Sequence, residues 1–192
     1  MVIDRSFYHR NSILVARELL GMLFVHNSAE GLTSGIIVET EAYHQNDPAS
    51  HTFAGKSQRN AVMFGPAGHA YIYFIYGMYY CFNISTGEEG VGEGVLIRAL
   101  QPVEGVDLMK VRRRKDALID QCNGPAKLVM AMGITPLMNG ADLTDSTIFV
   151  ESGDRNSLHE DTIVVTTRVG IVKAAEEPLR FYLKDNPYIS KK

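Results

Sequence analysis

Apolar and polar positions alternate along the chain in short stretches, and their period separates helices from strands. Apolar residues recur at helical spacing over 13–20, with Ser12 placed to cap that stretch and Gly21 to stop it. Residues 23–26, 29–33 and 35–43 predict a strand, a turn and a longer strand. Residues 44–70 carry Pro48, Gly55, Pro66 and Gly68 among polar side chains, which predicts long irregular structure, usually functional or disordered in a compact domain. Residues 71–85 are dense in aromatic and β-branched side chains and are broken only at Gly77. They predict a β-hairpin with Tyr76, Gly77 and Met78 at or near its tip. An acidic, Gly-rich stretch over 86–94 leads into a strand over 95–100 that Pro102 ends, and a charged helix follows over 106–119. Gly124-Pro125 opens a second helix closing at Gly133, because proline suits the first helical turn and glycine the position after the last. Strand-like runs over 147–151, 162–169 and 179–183 alternate with turns, so the expected fold is α+β with a mainly antiparallel sheet.

Composition narrows this picture. A chain of 192 residues, 45% apolar and 21% charged, has the balance of a soluble globular domain that buries roughly 70% of its unfolded surface. A single domain over 1–192 is the simplest organisation. Nineteen basic against 22 acidic residues give a net charge of −3, far from the pI above ~9 usual for domains held to nucleic acid by bulk charge. A local basic face is still allowed, and Lys110, Arg112, Arg113, Arg114 and Lys115 supply the one strong cluster. Cys81 and Cys122 lack a CxxC spacing, and the first residues lack a signal-peptide pattern. The expectation is a cytoplasmic protein that does not associate with a membrane.

The strand Ile37-Val38-Glu39-Thr40-Glu41-Ala42-Tyr43 is the first place where chemistry can sit. A period of two puts Ile37, Glu39, Glu41 and Tyr43 on one face. Two carboxylates on one face of an apolar strand read equally well as a general-base site or as a solvated edge. Arg98 interrupts the run Val95-Leu96-Ile97-Arg98-Ala99-Leu100, and a buried guanidinium needs a carboxylate partner, for which Glu39 and Glu41 are the candidates. Such a group is either a structural ion pair or a carboxylate and an arginine holding a water between them.

Aromatic density is the second unusual feature. Five of the nine tyrosines, Tyr71, Tyr73, Tyr76, Tyr79 and Tyr80, fall in the hairpin, with Tyr71 and Tyr73 on one face. Core packing accounts for most of them, but a tip of Tyr-Gly-Met-Tyr is an exposed apolar feature suited to contact with something. Inserted apolar side chains unstack a duplex, and tyrosine faces sandwich planar, especially cationic, ligands. Taken singly, Asn83 and His51 do not rise above ordinary surface or backbone-satisfying roles. HExxH, GxSxG, P-loop and zinc-deaminase patterns are missing, and Gly90-x-Gly92-x-Gly94 does not open a helix, so the expectation is no metal and no cofactor.

Several stretches together resemble the alkyladenine (3-methyladenine) DNA glycosylase family. They are Val38-Glu39-Thr40-Glu41-Ala42-Tyr43, Arg59-Asn60 with Met63-Phe64, Tyr71-Ile72-Tyr73, Tyr76-Gly77-Met78-Tyr79, Cys81-Phe82-Asn83-Ile84-Ser85 and Leu96-Ile97-Arg98-Ala99-Leu100, followed by Gly124-Pro125-Ala126-Lys127-Leu128, Arg168-Val169-Gly170 and Pro178-Leu179-Arg180-Phe181-Tyr182. The resemblance runs from about Phe7 to the C-terminus, and the order and spacing of the motifs make it specific. It implies a compact domain around a curved antiparallel sheet with a protruding hairpin, acting as a monomer on damaged double-stranded DNA. It implies Glu41 as the general base activating a water, with Arg98 and the Val169 carbonyl holding that water. It further implies that Tyr43, His51 and Tyr73 line the pocket for a flipped purine and that Asn83 rejects unmodified guanine. Tyr76 would fill the gap in the duplex, with Met78 and Tyr79 beside it. The implied activity is excision of alkylated, and by extension deaminated, purines with release of the free base and an abasic site. The alternative is a non-catalytic module that uses the tyrosine hairpin as a wedge.

Overall fold

The computed structural model describes residues 1–75, 77–153 and 160–191. Tyr76, expected at the hairpin tip, therefore lies outside the described residues. A short helix, α1 (Arg5–Tyr8), precedes α2 (Ser12–Leu19). The α2 cap is Asn11 rather than Ser12: the Asn11 side chain accepts from the Ile13 N–H at 2.9 Å. The Ser12 N–H is instead taken by the Glu93 carboxylate at 2.9 Å. Glu93, from the acidic 86–94 stretch, thus serves the first turn of α2, where a negative charge is favourable.

Strands β1 (Leu23–Ser28) and β2 (Gly31–Tyr43) form a hairpin with a turn tighter than the 29–33 expected from sequence. Strands β3 (Ala70–Ile75) and β4 (Tyr79–Ser85) form the aromatic hairpin, with Gly77 at a φ of +69° that favours glycine. β5 (Gly94–Glu104) follows, then α3 (Val106–Arg113) and α4 (Pro125–Ala131), then β6 (Ile148–Glu151), β7 (Ile163–Thr166) and β8 (Arg180–Leu183). The sheet is a curved half-barrel of antiparallel strands in the order β3-β4-β5-β2-β1-β6. Beside β2, β1 pairs with residues up to Ile36, and β8 takes over at Glu39, Thr40 and Glu41, itself flanked by β7. The α+β expectation holds.

Two boundaries differ from the sequence reading. Pro102 does not end β5, which runs on to Glu104. It sits opposite Gly35 beside a register shift, a place where the missing N–H is tolerated. The helix after it stops at Arg113, because Arg114 turns left-handed (φ 53°).

Helices α2 and α4 cover one face of the sheet. Leu19, Leu20, Phe24, Phe82, Ile97, Leu128 and Met132 are buried there, each worth roughly 1.5–3 kcal/mol of apolar burial. A smaller cluster of Val38, Ala99 and Ile189, with Tyr182 and Tyr188 against it, lies on the other face under the C-terminal segment. Between the two, β2 and β5 fall out of step. Ile37 faces Leu100, Glu39 faces Ala99 and Thr40 faces Ile97, leaving Val38 and Arg98 without partners. These bulges re-phase the strand. Ile37, Thr40 (whose Oγ1 donates to the Ala16 carbonyl at 2.8 Å) and Ala42 turn to the helix-covered core. Glu39, Glu41 and Tyr43 turn away from it, so Ile37 does not share their face as a strict period of two predicts.

Residues 44–69 are irregular but ordered by buried polar groups. Asn60 Nδ2 donates to the carbonyls of His51 (2.8 Å) and Gly55 (3.0 Å), and Thr52 Oγ1 donates to the Gly92 carbonyl (2.6 Å). A side chain at Gly94 would sit 2.6 Å from Met63 Cε, so that glycine lets the loop close on β5.

Candidate active site

Glu41 comes from β2, Arg98 from the bulge of β5 and Val169 from the loop after β7, and all three meet on the sheet face opposite α2. Glu41 is fully buried. Its Oε1 accepts the Val169 N–H at 2.8 Å and lies 3.1 Å from Arg98 Nη1; its Oε2 accepts from the Tyr43 hydroxyl at 2.8 Å. A carboxylate has about four acceptor positions. Among the described residues two are filled by hydrogen bonds and Arg98 pairs with Oε1 as an ion, so Oε2, the oxygen beside Tyr43, keeps an open acceptor position. The contact shown at Val169 is made by its N–H, not by the carbonyl that the resemblance assigned to the water.

Burial works against the charge on Arg98, but Glu41 and Glu39 beside it more than offset that and hold its pKa above the usual arginine value. Burial, then the neighbouring Glu41 carboxylate, pushes the Tyr43 phenol well above its ordinary value. Tyr43 is therefore a proton donor to Glu41 and not a second base.

Tyr43 also lines a pocket of about 140 Å³ with Ser50, His51, Met63, Tyr71, Tyr73, Asn83 and Ile171. Four of the five residues expected to bind substrate are thus brought together. His51 stands edge-on to Tyr73 (ring centroids 4.5 Å apart), and its Nδ1 is 3.0 Å from the Tyr71 hydroxyl. Tyr71 and Tyr73 stack with centroids 5.5 Å apart. Burial, aided by Arg59, lowers the His51 pKa, so its imidazole is neutral at pH 7. Burial raises both tyrosine pKa values, on Tyr71 against the pull of Arg59. Asn83 is buried at the pocket wall, with Nδ2 donating to the Tyr71 carbonyl at 3.2 Å. A wider depression of about 400 Å³ around Met1, Phe7 and Arg10 lies apart from these carboxylates.

Some residues of the site escaped the sequence reading. Tyr71 shares its face with Tyr73, a period-two signal that was legible. Arg168 and Asp47 form a buried ion pair; Arg168 also donates to the Ala42 carbonyl (3.1 Å) and holds its guanidinium 4.6 Å from the Tyr43 ring centre. Only the Arg168-Val169-Gly170 motif hinted at it, and nothing marked Asp47. Glu39 is fully buried against Arg98, Arg180 and Ser190.

Elsewhere, Phe74, Met78 and Tyr79 are exposed on the aromatic hairpin. The basic cluster lies at the far end of β2. Arg112 pairs with Glu30 at 2.7 Å and donates to the Ala131 carbonyl, and Arg113 donates to the Asp120 carbonyl. Leu108 of α3 packs at Gly31, ten residues and roughly 30 Å of strand from Glu41. Among the described residues no three His, Cys, Asp or Glu side chains come together as a metal site, and no helix is long and apolar enough to cross a membrane.

Residues 6–187 match the family model described as methylpurine-DNA glycosylase. A protein of Methanoculleus marisnigri named "Putative 3-methyladenine DNA glycosylase" is 51% identical over all of both chains. Proteins with the same printed name from Carboxydothermus hydrogenoformans (50%, all of both chains) and Francisella tularensis (46%, 94% of both chains) are also similar.

Proposed function

The chain belongs to the methylpurine-DNA glycosylase family, and from that premise we propose that it hydrolyses the N-glycosidic bond of alkylated purines flipped out of duplex DNA. The observation that carries this reading is Glu41: a buried carboxylate held by two hydrogen bonds and the Arg98 guanidinium, with Oε2 open to another donor among the described residues, beside an aromatic pocket. A water held at that position loses its proton to Glu41 as its oxygen bonds to the sugar C1′. The C1′–N bond breaks, its electron pair leaves with the base, and an abasic site remains. The sugar is oxocarbenium-like at the transition state, so a buried carboxylate beside it stabilises developing positive charge as well as orienting water. Arg98 and the Val169 N–H fix the carboxylate through Oε1, which leaves Oε2 to the water.

Tyr43, His51 and Tyr73 receive the base. A purine alkylated at N3 or N7 is cationic and leaves as a neutral molecule. Tyrosine faces favour a cation, and a neutral His51 does not repel it. Asn83 stands at the wall, where it discriminates against the exocyclic amine of unmodified guanine. The exposed Phe74, Met78 and Tyr79 put apolar surface on the hairpin that enters the base stack, at lowest cost where a damaged base is already poorly paired. We further propose that the chain works as a monomeric single domain, without a cofactor, wherever it has access to DNA.

The test is release of free base from methylated duplex DNA, run beside hypoxanthine-containing duplex and the Glu41→Gln variant. Release of 3-methyladenine, lost in the variant while damaged-DNA binding persists, is the expected result. Damage-specific binding with no release from either duplex would instead identify a binding module and make Glu41 structural.

A further inference from the structure

Glu39 is as buried as Glu41 and two residues away on the same face, yet the hydrolytic step does not call on it. Four donors converge on its carboxylate. Oε1 accepts from Arg180 Nε (2.8 Å), the Ser190 hydroxyl (3.0 Å) and Arg98 Nε (3.3 Å), while Oε2 accepts from the Ser190 N–H (2.5 Å). Ser190 Oγ also receives the Arg98 guanidinium, at 3.3 Å from Nε and 3.2 Å from Nη2.

We propose that Glu39 and Ser190 are positioning residues for Arg98, holding its guanidinium so that Nη1 stays paired with Glu41; this rests on the reading of Glu41 and Arg98 as the reacting pair. A guanidinium is planar, with its donors in a fixed fork. Holding the Nε and Nη2 positions against Glu39 and Ser190 therefore determines where Nη1 lies, and it lies 3.1 Å from Glu41 Oε1 in an ion pair. The bulge makes this support necessary. Arg98 is the unpaired residue of β5, so strand pairing alone does not hold its side chain in place. Glu39 also offsets charge. Arg98 and Arg180 both pair with it in this buried cluster, and without the Glu39 carboxylate the buried Arg180 charge would lose its ion-pair partner.

Ser190 reaches the cluster because the C-terminal segment packs down on the sheet. Ile189 is buried against Val38 and Ala99, Tyr188 lies beside them, and the Lys191 carbonyl accepts from Arg180 Nη2. The segment after β8 thus acts as a strap that completes the arginine's socket.

The experiment uses the full chain with Ser190→Ala, Ser190→Thr and Glu39→Gln. Single-turnover base release from methylated duplex is measured at saturating enzyme, beside affinity for duplex containing a tetrahydrofuran abasic analogue and the thermal midpoint. Loss of the serine hydroxyl is expected to slow release about tenfold, the usual effect of one hydrogen bond to a charged group. Glu39→Gln is expected to slow it on the order of a hundredfold, as for a reacting group left about 1 Å out of place. Affinity for the abasic duplex stays near wild type in both, and Ser190→Thr, which keeps the hydroxyl, restores most of the rate. Where Glu39→Gln does not fold, the Ser190 pair decides. Wild-type rates per folded molecule in Ser190→Ala, or a rate that falls only in step with affinity or folded fraction, would overturn the proposal. A wild-type chain that releases no base would be a different failure, of the glycosylase reading itself, and the positioning role would fall with it.

Discussion

Glu39 and Glu41 are the same residue type, two positions apart on one face of β2, and both are fully buried. Glu39 takes four donors from β5, β8 and the C-terminal segment, three at Oε1 and one at Oε2. Glu41 takes two hydrogen bonds and the Arg98 guanidinium as an ion pair, and its Oε2 lies beside Tyr43 of the aromatic pocket. Burial therefore does not distinguish a reacting carboxylate from a supporting one. What the less occupied oxygen faces does: Oε2 of Glu41 lies beside Tyr43 of the aromatic pocket, and Oε2 of Glu39 lies against the backbone of the C-terminal segment. Asp47 extends the comparison: it is buried like the other two, but it is closed by Arg168 and does not line the pocket.

The largest expected effect comes from Glu41. Glu41→Gln keeps the shape but cannot take a proton, so base release should fall by about 10³-fold, within the usual contribution of general acid–base catalysis, with lesion binding retained. Single-turnover kinetics read this directly. If Glu39→Gln cost more per folded molecule than Glu41→Gln, the assignment of the two carboxylates would be inverted.

Asp47→Ala probes the closed pair away from the water. It leaves the buried Arg168 charge unpaired, and should lower stability by about 3–5 kcal/mol in a urea titration. A loss below about 1 kcal/mol would mean that the Arg168 guanidinium is solvated or finds another acceptor.

The smallest effect belongs to His51. Its folded pKa lies below the roughly 6.5 of an unfolded histidine, so the unfolded chain takes up a proton first as the pH drops. The stability associated with neutral His51 is full above about pH 6.5 and is lost as the pH falls through the lower folded value. Because His51 as a whole is exposed, the slope is shallow. Urea midpoints between pH 7.5 and 5 should decline less steeply in His51→Gln than in wild type, and equal slopes would place the lost proton site elsewhere.

Much of this site is legible along the chain. Glu39, Glu41 and Tyr43 share a face by simple alternation, Tyr71 and Tyr73 do the same, and Arg98 stands out in an apolar run. His51 and Asn83 become site residues only through the family resemblance, because one histidine in a loop and one asparagine in a strand each have ordinary explanations. Asp47 and Ser190 carried no signal. Their roles come from partners 121 and 151 residues away. Pro102 and the α3 end misled for a related reason: a bulge opposite Gly35 absorbs the proline, and a left-handed Arg114 stops the helix before its charge pattern ends.

The sequence by itself determined the helix between Gly124 and Gly133, the aromatic hairpin, the antiparallel α+β character and the clustering of acidic and aromatic residues. Those follow from propensities and periods that act over a few residues. Only the tertiary structure decided that Ile37 leaves the glutamates' face, that Arg98 is the unpaired residue aimed at Glu41, and that the C-terminal segment closes over Glu39. Strand register is a property of two strands and not of one. A bulge at Val38 answered by one at Arg98 re-aims side chains in a way that neither stretch encodes alone.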